Sequence, residues 1–287
     1  MKNQLLLFLC LLTACLSSNA AAAPWIKAGD TGLRADIQRL ADSGQLNIPV
    51  ATYPLMWASV ASESQKIQFE QLTAPQQLAY LRIKKAMRLA TNRGRKSQLN
   101  LFAASDVKRF SGFENSYYEK NKLTLSSEFM GNSFSANLAV NVRSDFRQVP
   151  GDKRVNFDQS YIAFKFSNWV VDLGAIDQWW GPGYESSLIM SNNARPLPAV
   201  SVRRNDSRPF ESPWLSWIGP WTFSAQMAQL ETERYVADAK LWSSRASFKP
   251  FSHLEDWTFL VLSMGWPRST RVFSAICARI TGAHRMC

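Results

Sequence analysis

The chain changes its hydrophobic period once. Up to about residue 95 the apolar residues recur at helical spacing, and beyond about Ser97 they alternate with polar ones. In the first part Leu33, Ile37, Leu40 and Ala41 form one stripe that stops near Ser43 and Gly44, which predicts an amphipathic helix. Pro49 and Pro54 break the chain, and Trp57 with Val60 predicts a short second helix. Thr73 and Gln76 have the spacing of a capping box, and Pro75 falls in the first turn of a third helix. There Leu78, Leu81, Ala86 and Leu89 are expected to line the buried side. Lys84 and Arg88 point away, and Lys85 snorkels out of the stripe. Residues 24–95 therefore predict a small bundle of three short helices.

The second part alternates. Over residues 133–145, Phe134, Ala136, Leu138, Val140 and Val142 share one face, while Ser135, Asn137, Ala139, Asn141 and Arg143 share the other. Residues 122–130 repeat the pattern with Leu123, Leu125 and Phe129, and Gly131-Asn132 predicts a tight hairpin between the two strands. Residues 156–167 and 169–175 make another pair, turning at Ser167-Asn168. Residues 221–231 and 235–248 make a third, turning at 232–234. Strands of about eight to thirteen residues exceed the roughly five or six of soluble sheets and suit the roughly nine to eleven that cross a bilayer. Phe129, Phe134, Trp169 and Trp221 lie near strand ends, where an interfacial girdle belongs. A soluble sandwich shares the alternation, but strand length favours a barrel. The fold class predicted from the pattern is mainly β: an antiparallel membrane β-barrel preceded by a small N-terminal helical bundle.

Between these strands lies a segment without the alternation, residues 177–208. It opens on Trp179 and Trp180, reverses at Gly181-Pro182-Gly183, and continues through Asn192, Asn193, Pro196, Pro198 and the arginines 195, 203, 204 and 208. A long irregular insert among regular strands is where binding residues concentrate. The other reading has the tryptophans packing the loop against the sheet or marking a membrane interface. The residues by themselves leave both open.

The first 23 residues change the picture by placing the protein outside the cytoplasm. Lys2, an apolar run from Leu5 to Leu16 and a small-residue end predict a cleaved signal peptide, too short to span as a helix. Leu12-Thr13-Ala14-Cys15 offers a rival lipoprotein reading, with acylation at Cys15. With 33 Lys+Arg against 22 Asp+Glu, the formal charge is +11. Lys2 and Arg268, Arg271, Arg279 and Arg285 carry five of these charges, and roughly +6 remains without any long basic run, so no nucleic-acid partner is expected. The four cysteines, at 10, 15, 277 and 287, leave the body of the chain without thiols, and the two histidines, His253 and His284, come late. No metal site or cofactor is expected.

Three stretches carry a resemblance. APWIKAGDTGLRADIQRLADSGQL (23–46), SRASFKPF (244–251) and above all DQWWGPGYESSLIMSNNARPLP (177–198) resemble the Wzi-type capsule assembly proteins, with similarity from about Ala23 to Glu255. That resemblance implies an outer-membrane barrel preceded by a periplasmic bundle. Its members are lectins that hold exported capsular polysaccharide at the cell surface, and are not enzymes. Sugar recognition needs aromatic faces, planar amides and forked cations. Trp179, Trp180, Tyr184, Asn192, Asn193, Arg195, Arg203 and Arg204 supply these within 26 residues, with Gly181, Pro182 and Gly183 expected to hold the loop shape. The partners expected are capsular polysaccharide and outer-membrane lipid, the protein acting as a monomer. A passive outer-membrane porin is the alternative. Enzyme readings are weak: Asp177 and Glu185 could form a glycosidase pair at roughly 5 to 9.5 Å, but no nucleophile–histidine set, P-loop or HExxH occurs.

The resemblance stops near Glu255. Residues 257–287 lose the alternation and hold four arginines, no acidic residue and both late cysteines. Such a joint change is what a shifted reading frame produces, so residues 256–287 are expected to be an aberrant tail. The partial barrel of residues 96–255 would then insert poorly and function weakly.

Overall fold

The structure, a computed structural model, describes residues 24–92, 94–107, 110–114, 119–146, 153–187, 189–230, 238–251, 257–266 and 269–280, the last two segments as backbone apart from Thr258 and Phe259. The expected signal peptide, Cys15, His253 and the 232–234 turn lie outside these residues.

The N-terminal part folds as three helices. Helix α1 (Thr31–Asp42) starts where the Asp30 carboxylate accepts a hydrogen bond from the Leu33 amide at 2.9 Å, and it buries Ile37, Leu40 and Ala41. Helix α2 (Trp57–Ser64) buries Trp57 and Val60. Helix α3 (Ala74–Thr91) begins with the Thr73–Gln76 capping box. Its buried face is not the leucine face that the sequence suggests. Ala79, Tyr80 and Ile83 pack into the core, while Leu78, Leu81 and Leu89 are about half exposed. The helix carries two apolar stripes, and the small Ala79 in the first lets it approach α1. Short strands complete the bundle: β1 (Trp25–Ile26) pairs with β3 (Leu55–Met56), and β2 (Thr52–Tyr53) waits for a partner from far along the chain.

The rest of the described chain builds one antiparallel sheet. It consists of β4 (Gly94–Ala103), β5 (Glu119–Met130), β6 (Phe134–Phe146), β7 (Val155–Asn156), β8 (Tyr161–Phe166), β9 (Trp169–Ala175), β11 (Pro198–Arg204), β12 (Trp221–Gln229), β13 (Lys240–Phe248), β14 (Trp257–Trp266) and β15 (Ser269–Ile280). Neighbours pair in sequence order from β4 to β15, with β7 added to the side of β6. Strand β10 (Trp179–Trp180) leaves this sheet and pairs with β2 of the bundle. The sheet is an open path, and among the described residues β4 and β15 are not paired with one another. Two findings depart from the sequence reading. The 177–208 segment is not irregular throughout, since its end is β11, a full member of the sheet between β9 and β12. Pairing also continues beyond Glu255, with β14 in register against β13 and β15 against β14. Ladder bonds use main-chain groups, so a backbone can pair where side-chain alternation has gone.

The sheet is inverted relative to a soluble one. Leu138, Ile162, Phe164, Val171, Leu173, Val200, Met227 and Trp242 point outward and are exposed. Asn137, Asn141, Arg143, Asp172, Ser201, Arg203, Gln226 and Arg245 point inward and are buried. Water would select the opposite arrangement, because apolar area stabilises when it leaves water. Lipid selects this one. The inward polar groups pair across the face: Arg203 with Asp172, Arg143 with Glu119 at 3.5 Å, and the Asn141 amide donates to Asn156 at 2.9 Å.

The bundle sits against the inner face. Trp25 lies on Tyr161 with ring centroids 4.7 Å apart, and the Arg203 guanidinium is 5.5 Å from the Trp25 ring. The Ser207 amide donates to the Ser59 hydroxyl at 3.0 Å, and the Lys249 ammonium donates to the Ala41 carbonyl at 3.2 Å. Helix α3 leads directly into β4, and the tight turns at 131–133 and 167–168 are at this same end. The longer connections 104–118, 147–160 and 176–197 are at the other.

Candidate functional site

The long connection after β9 turns inward instead of out. Trp179 pairs with Tyr53 and Trp180 with Thr52, the Trp180 amide donates to the Met190 carbonyl at 2.9 Å, and the Gly181 amide donates to the Ala51 carbonyl at 3.0 Å. Both indoles are buried completely. Trp179 meets Phe113 edge to face at 5.7 Å, and its Nε1–H donates to the Gly183 carbonyl at 3.0 Å. Both indoles are enclosed by protein in this arrangement, with no ring face open to a sugar.

Arg34 holds the reversal that follows. Its Nη2 donates to three successive carbonyls, Gly181 at 3.2 Å, Pro182 at 2.6 Å and Gly183 at 3.1 Å. Its guanidinium carbon lies 4.1 Å from both the Phe113 and Tyr184 ring centroids. Burial lowers the pKa of this side chain, with Tyr53 and Tyr184 acting the other way, and a guanidinium keeps its charge through such a shift. Sequence reasoning missed Arg34. The signal was there, since Arg34 occupies the stripe of Ile37 and Ala41, where a cation needs a buried acceptor.

The remaining candidates divide into two groups. Tyr184, Asn192 and Asn193 come together with the 110–114 segment. The Phe113 amide donates to the Tyr184 carbonyl at 2.6 Å, the Asn192 amide to the Phe113 carbonyl at 3.0 Å, and the Ser111 amide to the Asn193 Oδ1 at 3.3 Å. Asn192 is buried and braces the 110–114 segment, whereas Tyr184 and Asn193 are exposed. Arg195 lies nearby in the chain and forks onto Asp158 with two 3.0 Å hydrogen bonds while part of its side chain meets solvent. Phe110, 82% exposed, is an aromatic face on this side that the sequence reading passed over. Arg203 and Arg204 do not belong with this group. Arg203 is buried against Asp172 in the wall, and Arg204 lies over Trp221 at 3.7 Å at the bundle end. Both lie at the end of β11, which runs from the loops at Pro198 to the bundle end at Arg204, so the strand carries them away from the loops.

Asp177 is the titratable group beneath the loops. Burial pushes its carboxyl up to about 6, Asp158 adds to this, and Lys122, the Gln159 side chain and Lys27 pull it back. Among the described residues no His, Cys, Asp and Glu cluster could hold a metal ion.

A wall apolar outside and polar inside, filled by its own helical bundle and by a loop folded into it, defines a plugged β-barrel of the outer-membrane kind, here with its wall open. The sequence profile of the capsule assembly protein Wzi matches residues 90–277, and the chain belongs to that family. The solved structure of Wzi, an outer membrane protein involved in group 1 capsule assembly in Escherichia coli and a carbohydrate-binding β-barrel, superposes with a TM-score of 0.77 at 27% identity, over 85% of this chain and 54% of that one. An uncharacterized 55.8 kDa protein in a cps region of Klebsiella pneumoniae is 28% identical over 271 residues, 94% of this chain and 53% of the relative. The chain spans about half the length of the relatives it matches.

Proposed function

We propose that this chain is a polysaccharide-binding component of the outer membrane that holds exported capsular polymer at the cell surface and does no catalysis. The bundle end faces the periplasm and the long connections face outward, in keeping with the short-turn, long-loop asymmetry of such barrels. One observation carries the reading over that of a passive porin: the 176–197 connection folds into the lumen and is tied to the bundle through β10, β2 and Arg34. A filled lumen suits retention of a polymer, not diffusion through a pore.

The sugar-facing residues proposed are Tyr184, Asn193 and Arg195, with Phe110 beside them. Tyr184 and Phe110 offer ring faces and Asn193 a planar amide, while Arg195, its fork held by Asp158, adds a partly exposed cationic edge toward an acidic polymer. Trp179, Trp180 and Asn192 support this surface from below. Because β4 and β15 present unpaired edges, which cost several kcal/mol per group in hydrocarbon, the chain by itself is proposed to insert poorly and retain little polymer.

Capsule retained on cells against capsule shed into the medium tests this, in a strain lacking the gene, one making this chain, and one making a relative of full length. The full-length protein restores retention and this chain restores a small part of it. Planar-bilayer conductance that is independent of capsule would return the porin reading.

A further inference from the structure

One connection at the bundle end is out of proportion to its neighbours. The turns 131–133 and 167–168 are tight, but between β11 and β12 the chain makes an excursion of more than a dozen residues. Its ends are pinned together, with the Trp221 amide donating to the Ser207 carbonyl at 2.9 Å and the Lys249 amide to the Pro220 carbonyl at 2.8 Å. Gly219, at φ +70°, makes the return possible. A Cβ there would lie 2.2 Å from the Lys249 carbonyl oxygen. The excursion is therefore a built element, and its apex is apolar: Trp214 is 87% exposed, Trp217 66% and Leu215 41%. Backbone bonds from Leu215 and Ser216 to the Ser212 carbonyl begin a tight coil that runs into a short 3₁₀ turn at Ser216–Ile218. Residues three apart in such a coil project to one side, which brings the two indoles onto a common face.

The root of this element lies on the outer face of the wall. Phe210 stacks on Trp221 at 4.7 Å, and Trp221 meets Trp169, whose ring also meets Phe223. Trp169 and Trp221 belong to the outward set of β9 and β12, at their bundle ends. The same rim carries Phe129, Phe134 and Phe164 in mutual ring contact. The apex thus continues an aromatic band that already borders the lipid-facing surface.

We propose that this excursion lies along the phospholipid side of the bilayer at the bundle end, with Trp214 and Trp217 seated among the headgroups, and anchors the wall at a fixed depth. The proposal rests on the outer-membrane reading above. Indoles with an apolar body and one N–H donor partition to that layer, where the ring is shielded and the donor stays solvated. The occupant is lipid because the apex adjoins the wall's apolar border.

The chain is refolded with phosphatidylethanolamine–phosphatidylglycerol vesicles containing lipids brominated near the top or near the end of the acyl chain, and only the fraction that floats with the vesicles after a urea wash is measured. Emission is compared with that of a W214F/W217F variant; both positions are exposed, so folding is unaffected. The difference between the two proteins isolates the two indoles. That component should be quenched about twofold more by the shallow bromines than by the deep ones. Equal or stronger quenching by the deep bromines overturns the interfacial placement. A difference component quenched by neither, while emission from the wall tryptophans Trp169 and Trp242 is quenched, overturns the proposal alone and favours a protein partner at this apex. If no tryptophan is quenched, the wall is not in lipid and the outer-membrane reading falls with it.

Discussion

Arg34 shows how one buried cation can order a segment about 150 residues away in sequence. Three carbonyls in a row can converge on one donor group only if the chain reverses tightly, and residues 181–183 provide that reversal. Removing the guanidinium takes this donor from the Gly181 and Pro182 carbonyls, at about 1–3 kcal/mol for each buried group that water does not reach, while Gly183 keeps the Trp179 Nε1–H. Arg34→Met is therefore expected to loosen residues 181–187, seen as new protease cleavage there. Arg34→Lys should protect only in part, because an ammonium lacks the planar fork. Asp177 gives a second prediction at this scale. Its folded pKa, about 6, is above the ordinary carboxylate value of 3.8, so the folded state binds this proton more tightly than the unfolded one. The group therefore favours folding fully below about pH 4, and that contribution is lost as the pH rises through about 6. Asp177→Asn keeps the neutral form at every pH. It should raise stability by about 1–2 kcal/mol at pH 7, discounted for partial exposure, and by nothing near pH 4. Denaturant midpoints of the two proteins at both pH values decide it.

Among the elements, the strands were legible and the choice of helix face was not. Alternation over residues 122–145 and 161–175 follows the ladder almost residue for residue, because one wall face meets lipid and the other polar groups. Strand β11 was hidden for the same reason. Its inward residues Ala199, Ser201 and Arg203 read as loop chemistry until the lumen is seen to be polar, and Pro198 and Pro196 strengthened the loop reading. On α3 hydrophobicity pointed to the leucines, whereas close approach to α1 selected Ala79, Tyr80 and Ile83. Ile83→Ala is expected to cost about 2–4 kcal/mol, and Leu81→Ala less than about 0.5 kcal/mol, in urea midpoints. The site was legible as a segment but not residue by residue. The motif of residues 177–198 is distinctive, yet composition cannot tell an aromatic that stacks on a ligand from one that fills a core. Arg195 and Tyr184 retain exposed surface where Trp179 and Trp180 have none. Arg195→Ala should accordingly weaken binding to an immobilised acidic polysaccharide about tenfold. Trp179→Phe, a change in the core, should alter thermal stability before it alters affinity at saturating fold.

For the whole molecule the decisive fact is the open sheet. Among the described residues, strand pairing from β4 to β15 leaves two edges, and a wall that crosses a bilayer tolerates none. The chain expressed alone is therefore expected in the urea-extractable fraction of membranes, without the unheated-gel mobility shift that a closed barrel gives. Protease-resistant, heat-modifiable protein at normal abundance would contradict this. The tail bears on the same question. Its backbone pairs through Ile280 and the family match runs to residue 277, so the likeness continues past Glu255, where the loss of alternation in the sequence predicts its end.

The greasy outer surface has a cost before any membrane is reached. A polypeptide whose Leu101 and Phe166 stay about four-fifths uncovered when folded cannot finish folding in an aqueous compartment without clumping. On the outer-membrane reading proposed above, it would have to cross that compartment still unfolded, with escorts covering its apolar residues. Its lifetime in transit then depends on how long those escorts keep hold of it.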